Sequence, residues 1–153
     1  MKRTNNTKTI TIAAAITLAL GAASTAKAVD RGCSNSSLNG TYGFTSTGVV
    51  VSPPENAGQD TEVGTQTFDG QGGTTATAML SANGNIIPVS ITGTYTVNSD
   101  CTGTQTLNIP QFGVTIHVFF VITDNGDAFQ GMETEKGFIV PRFARKIFPG
   151  RAI

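Results

Sequence analysis

The chain has 153 residues, ten of them basic and ten acidic, and only 13% of it is charged, with a single histidine. That charged share is about half the usual one, while nine Phe and regularly spaced Val and Ile exclude a disordered chain. There is no basic surplus of the kind nucleic acid calls for, and the length is that of one domain.

Residues 1–28 read as an export signal. Lys2, Arg3 and Lys8 open it, an apolar run extends from Ile10 to Ala23, and Ala26-Lys27-Ala28 supplies a small-x-small cleavage pattern. The run is shorter than the roughly 20 apolar residues of a membrane-spanning helix. Cleavage after Ala28 predicts a periplasmic or extracellular protein, and the simple Ala-rich signal is of bacterial type. The signal takes four of the ten basic residues and none of the ten acids, so six remain against ten, a net charge of −4. In an oxidising compartment Cys33 and Cys101, the only cysteines, pair most simply as one disulfide. In the chain-entropy picture that closure stabilises the fold by about 4 kcal/mol.

Residues 29–39 form a polar lead-in, with a short helical turn over 34–38, that Cys33 ties to the turn at Asn98-Ser99-Asp100-Cys101. Residues 40–153 read as one β-domain. Four near-copies of one phrase run through it: Gly40-Thr41-Tyr42-Gly43-Phe44, Gly64-Thr65-Gln66-Thr67-Phe68, Gly93-Thr94-Tyr95-Thr96-Val97 and Gly103-Thr104-Gln105-Thr106-Leu107. Thr, Tyr, Phe and Val suit a pleated surface, so each copy predicts a strand opening on glycine. Such copies arise from a loose duplication or from antiparallel strands reusing one vocabulary.

The strands predicted in chain order cover 41–51, 62–68, 74–82, 85–97, 102–109, 114–123, 128–134 and 138–147, with 52–61 as the long loop. Asn83-Gly84 is the strongest hairpin signal in the chain. In the fourth strand Ile87, Val89, Ile91, Tyr95 and Val97 share one face and Ser90, Thr92, Thr94 and Thr96 the other, giving one dry side and one wet side. The sixth strand is apolar on both faces, which predicts burial on both sides, a cavity wall or a partner surface. Pro141 predicts that the last strand is an edge or is broken, and Arg142, Arg145, Lys146 and Arg151 read as charges guarding that edge, with an anion or lipid-headgroup patch as the alternative.

Eight short strands joined by mostly tight turns predict an all-β fold, an antiparallel up-and-down, lipocalin-like barrel of about eight strands, with a two-sheet β-sandwich as the alternative. The combination Cys33-Ser34, Ser37-Leu38-Asn39-Gly40-Thr41-Tyr42-Gly43-Phe44 and Asp100-Cys101-Thr102-Gly103-Thr104 resembles a group of exported bacterial proteins of unknown function. The layout is more distantly similar to lipocalin-like and allene-oxide-cyclase-like barrels. That likeness implies a fold and assigns no activity.

Little catalytic chemistry is legible, and no catalytic residue, metal site or cofactor is assigned. His117 shares a strand face with Phe119 and Val121 and is read either as a contact inside the barrel or as a core or rim histidine with one partner. Glu133 and Glu135 share a face at a strand end, where they do acid–base work or, beside Lys136, decorate a hairpin. Asp124 and Asp127 fall short of a calcium loop. Asp69-Gly70-Gln71-Gly72-Gly73 resembles a phosphate-cradling loop only in its glycines. With no Trp and two Tyr to form interfacial girdles, an outer-membrane barrel is disfavoured.

The resulting expectation is an exported, monomeric, non-enzymatic barrel, not stably inserted in a membrane, that binds a small apolar or amphipathic molecule. Its interior is lined by Tyr42, Phe44, Ile87, Val89, Ile91, Tyr95, Ile116, Val118 and Phe120, with Tyr42, Tyr95 and His117 as polar anchors. The other readings are a cyclase- or isomerase-like enzyme using His117 or Glu133, and a structural protein that pairs through its sixth strand.

Overall fold

The computed structural model describes residues 32–147. The segment expected to be an export signal, the first residues of the lead-in and Arg151 lie outside the described residues. Nine strands follow one another: β1 (Asn39–Val50), β2 (Gly58–Asp69), β3 (Gly73–Ala82), β4 (Asn85–Val97), β5 (Thr102–Ile109), β6 (Val114–Thr123), β7 (Ala128–Glu133), β8 (Phe138–Ile139) and β9 (Pro141–Lys146). Each pairs antiparallel with its neighbours, and β1 pairs with both β2 and β9, so the sheet closes on itself. β8 and β9 are one run interrupted at Val140, which leaves eight staves in an up-and-down barrel. Closure sets aside the sandwich and leaves β9 no free edge, since β7 flanks it on one side and β1 on the other. Pro141 does break the strand, and the residue sits at the first position of β9, where a missing N–H is tolerated.

β2 begins four residues earlier than expected, because Gly58, Gln59, Asp60 and Thr61 continue the ladder opposite Val50, Val49, Gly48 and Thr47. The long loop shortens accordingly to residues 51–57. The repeated glycines mark two different things. Gly40 and Gly103 stand near the starts of β1 and β5, whereas Gly64 and Gly93 lie inside β2 and β4. At both interior positions a Cβ would fall 2.2 Å from a carbonyl oxygen of the adjacent strand, Thr77 and Thr106 respectively. The missing side chain lets neighbouring strands close up where a small barrel must bend.

One end of the barrel is filled. Phe68 stands nearly perpendicular to Tyr42, Tyr95 and Phe129, with centroids 5.4, 5.0 and 5.6 Å away. Phe120 packs on Phe129, and Leu38, with no exposed surface, caps the stack from the lead-in. A 3-10 turn over Asn35–Ser37 carries that cap. The Tyr95 hydroxyl bonds the carbonyl oxygens of Asn35 and Leu38, both at 3.0 Å, and Asn35 Oδ1 accepts from Val97 N at 2.8 Å. The Cys33–Cys101 disulfide, with Cα atoms 4.8 Å apart, ties the lead-in to the β4–β5 turn as expected.

Of the alternatives expected for β6, burial on both sides is the one the structure removes. Ile116, Val118, Phe120 and Ile122 point inward and are buried, but Phe119 and Val121 are exposed, so the strand is not covered on both sides. Phe119 pairs across the ladder with Met132, and Phe143, Val63 and Met79 carry exposed apolar surface onward across β9, β2 and β3.

Candidate functional site

The opposite end of the barrel is less completely buried. There Leu80, Ile87 and Ile109 point inward yet remain half-buried, in contrast to the sealed aromatic end. The inner wall around this mouth divides by strand. β3, β4, β5 and β6 contribute Leu80, Ile87, Ile109 and Ile116, whereas β7, β9, β1 and β2 contribute Glu133, Arg142, Ser46 and Glu62, with the buried Val50 at the end of β1 and Val140 just before β9 beside them.

Arg142 anchors the polar half. Its position alternates with Val140 and Ala144, which are also buried, so period-2 geometry takes the guanidinium inside. It is 1% exposed, its Nη2 donates to Glu62 Oε2 at 2.9 Å, and its guanidinium carbon lies 4.4 Å above the Phe44 ring. Ser46, opposite both Glu62 and Arg142 in the ladders, donates its hydroxyl to the same Glu62 oxygen at 3.4 Å. Among the described residues nothing accepts from Nε or Nη1 of Arg142.

The carboxyls of this wall are held toward their neutral forms. Burial raises Glu62 and Asp60, and the Arg142 charge works against both shifts. Glu133 goes furthest, to about 7: burial drives the rise, Arg142 opposes it, and the negative charges of Asp60, Glu62 and Glu135 add to it. A carboxyl raised in the folded state keeps its proton where the unfolded chain has released it. Stability therefore falls as pH climbs from about 4.5 to about 7, and the loss is complete above that window. Glu133→Gln, neutral throughout, should flatten the fall. At pH 8 it should be the more stable protein by on the order of 2 kcal/mol, read from urea midpoints at pH 5 and pH 8.

Deeper in, Gln66 Nε2 reaches across from β2 to Gln105 Oε1 on β5 at 2.7 Å and to Thr74 Oγ1 at 3.1 Å. This strut lies between Phe68 and the Glu62 level along β2.

The expected site residues separate into three groups. Phe44 and Ile91 line the interior, Phe44 directly beneath Arg142. Tyr42, Tyr95 and Phe120 belong to the filled aromatic end, and both hydroxyls are taken by backbone carbonyls, Tyr42 by Gly126. His117 is on the outer wall rather than in the barrel. Its ring is largely exposed, and Nδ1 lies 2.8 Å from Glu135 Oε1. The parity that places Ile116 and Val118 inside puts His117 outside.

Glu133 does not decorate a hairpin but is buried in the mouth, and Glu135 alone stays at the rim. Arg142 is no edge guard, although Arg145 and Lys146 do lie at the surface beside Asp124 and Asp127. Arg142 and Glu62 were absent from the expected site. Their signal was parity, Arg142 with Val140 and Ala144, and Glu62 with Gln66 and Phe68. The glycine loop after β2 is already filled: Asp69 Oδ1 accepts from the amides of Gln71, Gly72 and Gly73 at 2.7–2.9 Å, which holds that carboxyl below its usual range.

No family model matches the chain, and no curated protein matches it. Among solved structures it is similar to a redesigned β-barrel at 18% identity and TM-score 0.53, over 74% of this chain and 95% of that one. It is equally similar to a second redesigned β-barrel, mFAP1, solved bound to DFHBI, at 19% identity and TM-score 0.53, over 73% of this chain and 97% of that one. At such identities the likeness is one of fold, and the fold is a closed eight-stranded antiparallel barrel.

Proposed function

We propose that this protein is an exported, non-enzymatic barrel that binds a small amphipathic molecule in its less buried half. The observation that carries the reading is the division of the inner wall. An apolar side built from Leu80, Ile87, Ile109 and Ile116 faces an ionic side built from Ser46, Glu62, Glu133 and Arg142. Ligand sites are mostly apolar with a few fixed polar groups, and small eight-stranded barrels either pack solid or hold one small ligand. Here the aromatic half is fully buried, whereas Leu80, Ile87 and Ile109 at the other end keep part of their surface exposed. The DFHBI-bound barrel of the same layout supports the reading, and the signal pattern with the disulfide supports export.

The test is titration with Nile red, an uncharged dye that brightens in apolar surroundings. One dye per barrel is expected, with binding weakened about tenfold or more by Leu80→Arg, which puts a charge in the apolar half. Val63→Ser, on the outer wall, should leave it unchanged. Loss of binding in the Val63 variant, or indifference to the Leu80 variant, would place the dye on the surface and overturn the reading. Glu133 supports a second reading, proton transfer in a cyclase- or isomerase-like barrel, because a carboxyl raised to about 7 sits in the mouth. Recovering a natural ligand chemically unaltered from the wild-type protein would count against that second reading.

A further inference from the structure

We propose that the ionic half of the mouth is a hydrogen-bond-donating anchor for an uncharged, oxygen-bearing head group, such as a ketone, ester or ether, seated against Arg142. This rests on the ligand-binding reading above and adds the chemistry of the ligand's polar end.

The argument starts from the donors. A guanidinium carries five N–H groups. Glu62 engages Nη2, and Nε and Nη1 are buried with no acceptor among the described residues. Arg142 is also held in place, stacked on Phe44 below and bonded to Glu62 at the side. Fixed donors without partners select a molecule that brings acceptors, because a site built to hydrogen-bond its ligand rejects analogues that leave its groups unpaired.

The surrounding charge decides which acceptor. Arg142 on β9 faces Glu62 and Asp60 on β2 and Glu133 on β7, with Glu135, bonded to His117 of β6, at the rim. One buried cation therefore already has several carboxyls around it, and all three inner ones are pushed toward the neutral acid. A carboxylate ligand would be a second acid competing with Glu62 for one buried cation, and its charge would push the neighbouring carboxyls further toward the neutral form. An ammonium head would leave the Arg142 donors unpaired and add a like charge beside them. A neutral oxygen accepts from Arg142 at no such cost, and protonated Glu133 supplies an additional O–H donor. The hydrocarbon part of the molecule then lies against Leu80, Ile87 and Ile109 on the opposite half.

The experiment uses three probes of near-equal chain length, nonan-2-one, octanoate and octylammonium. Each displaces Nile red from the disulfide-intact mature protein and its Glu133→Gln variant, at pH 6 and pH 8. In the wild type the ketone is expected to bind about tenfold tighter than either ion at pH 6, the cost of leaving charge-assisted donors unpaired. Its affinity should weaken several-fold by pH 8 as Glu133 ionises. The limit for one linked proton is about tenfold per pH unit. Glu133→Gln should retain the low-pH affinity at both values.

Tightest binding by octanoate, or by octylammonium with affinity rising toward pH 8, would overturn the anchor while leaving the ligand-binding barrel standing. Equal binding of all three probes, unmoved by pH and by the variant, would do the same. If neither Nile red nor any probe binds, the ligand reading itself falls and the anchor falls with it.

Discussion

Phe68→Ala should lower the unfolding free energy by about 4–5 kcal/mol, measured by urea denaturation of the disulfide-intact protein. The ring is 1% exposed and is the hub of the filled end, edge-on to Tyr42, Tyr95 and Phe129 at once. Truncating a buried Phe removes its transfer free energy and leaves a cavity, about 3–5 kcal/mol in well-packed cores. Aromatic pairs add roughly 0.5–1.5 kcal/mol each. The cavity cannot collapse easily here, because Tyr42 and Tyr95 are pinned by their hydroxyls to Gly126 and to the lead-in. Domains of this size have only about 5–15 kcal/mol in total, so a large fraction of the protein would unfold under mild conditions. Phe143→Ala, an exposed ring on the outer wall, should cost less than about 1 kcal/mol. A Phe68 loss below about 2 kcal/mol would mean that the aromatic end repacks.

Arg142→Met should cost about 3–5 kcal/mol at pH 8, the usual consequence of leaving buried charges without their partner. The substitution keeps most of the apolar stem over Phe44 but strands Glu62 and Glu133, both buried, with no cation among them. The pH dependence follows from the sign of the raised carboxyls. As pH falls the raised carboxyls take up protons and the penalty shrinks, whereas it grows as pH climbs past about 7, where Glu133 ionises. The double variant Glu62→Leu with Arg142→Met should recover much of the loss, since apolar replacement of a buried pair is often neutral or stabilising. Recovery in the double variant accompanied by loss of discrimination among polar probes would show that the pair is kept for recognition rather than for stability. A single Arg142 variant as stable as the wild type at pH 8 would mean that water reaches this wall freely.

These two expectations describe the two halves of one barrel. The aromatic half closes the fold and is anchored by the lead-in and its disulfide. The ionic half holds groups that stability alone would not favour, which is where binding sites are commonly found.

The chain determined by itself everything that depends on local chemistry. Asn83-Gly84 specified the β3–β4 hairpin, and the alternation from Ile87 to Val97 specified the dry face of β4, because side chains on a strand point to opposite sides in turn. The chain's only two cysteines had only each other to pair with. Parity, however, says which residues share a face and not which face is inside. In β6 both faces are apolar, and the sequence pattern assigns Ile116, Val118 and Phe120 to the interior together with His117 from the opposite face; the closed sheet buries the first three and leaves His117 and Phe119 at the surface. Closure also placed Arg142 indoors, by giving β9 a partner on each side. The ion pair that makes this burial tolerable joins Arg142 to Glu62, 80 residues away in the chain. A buried charge is stable only with a partner, and which strand would supply that partner was decided by the tertiary structure alone.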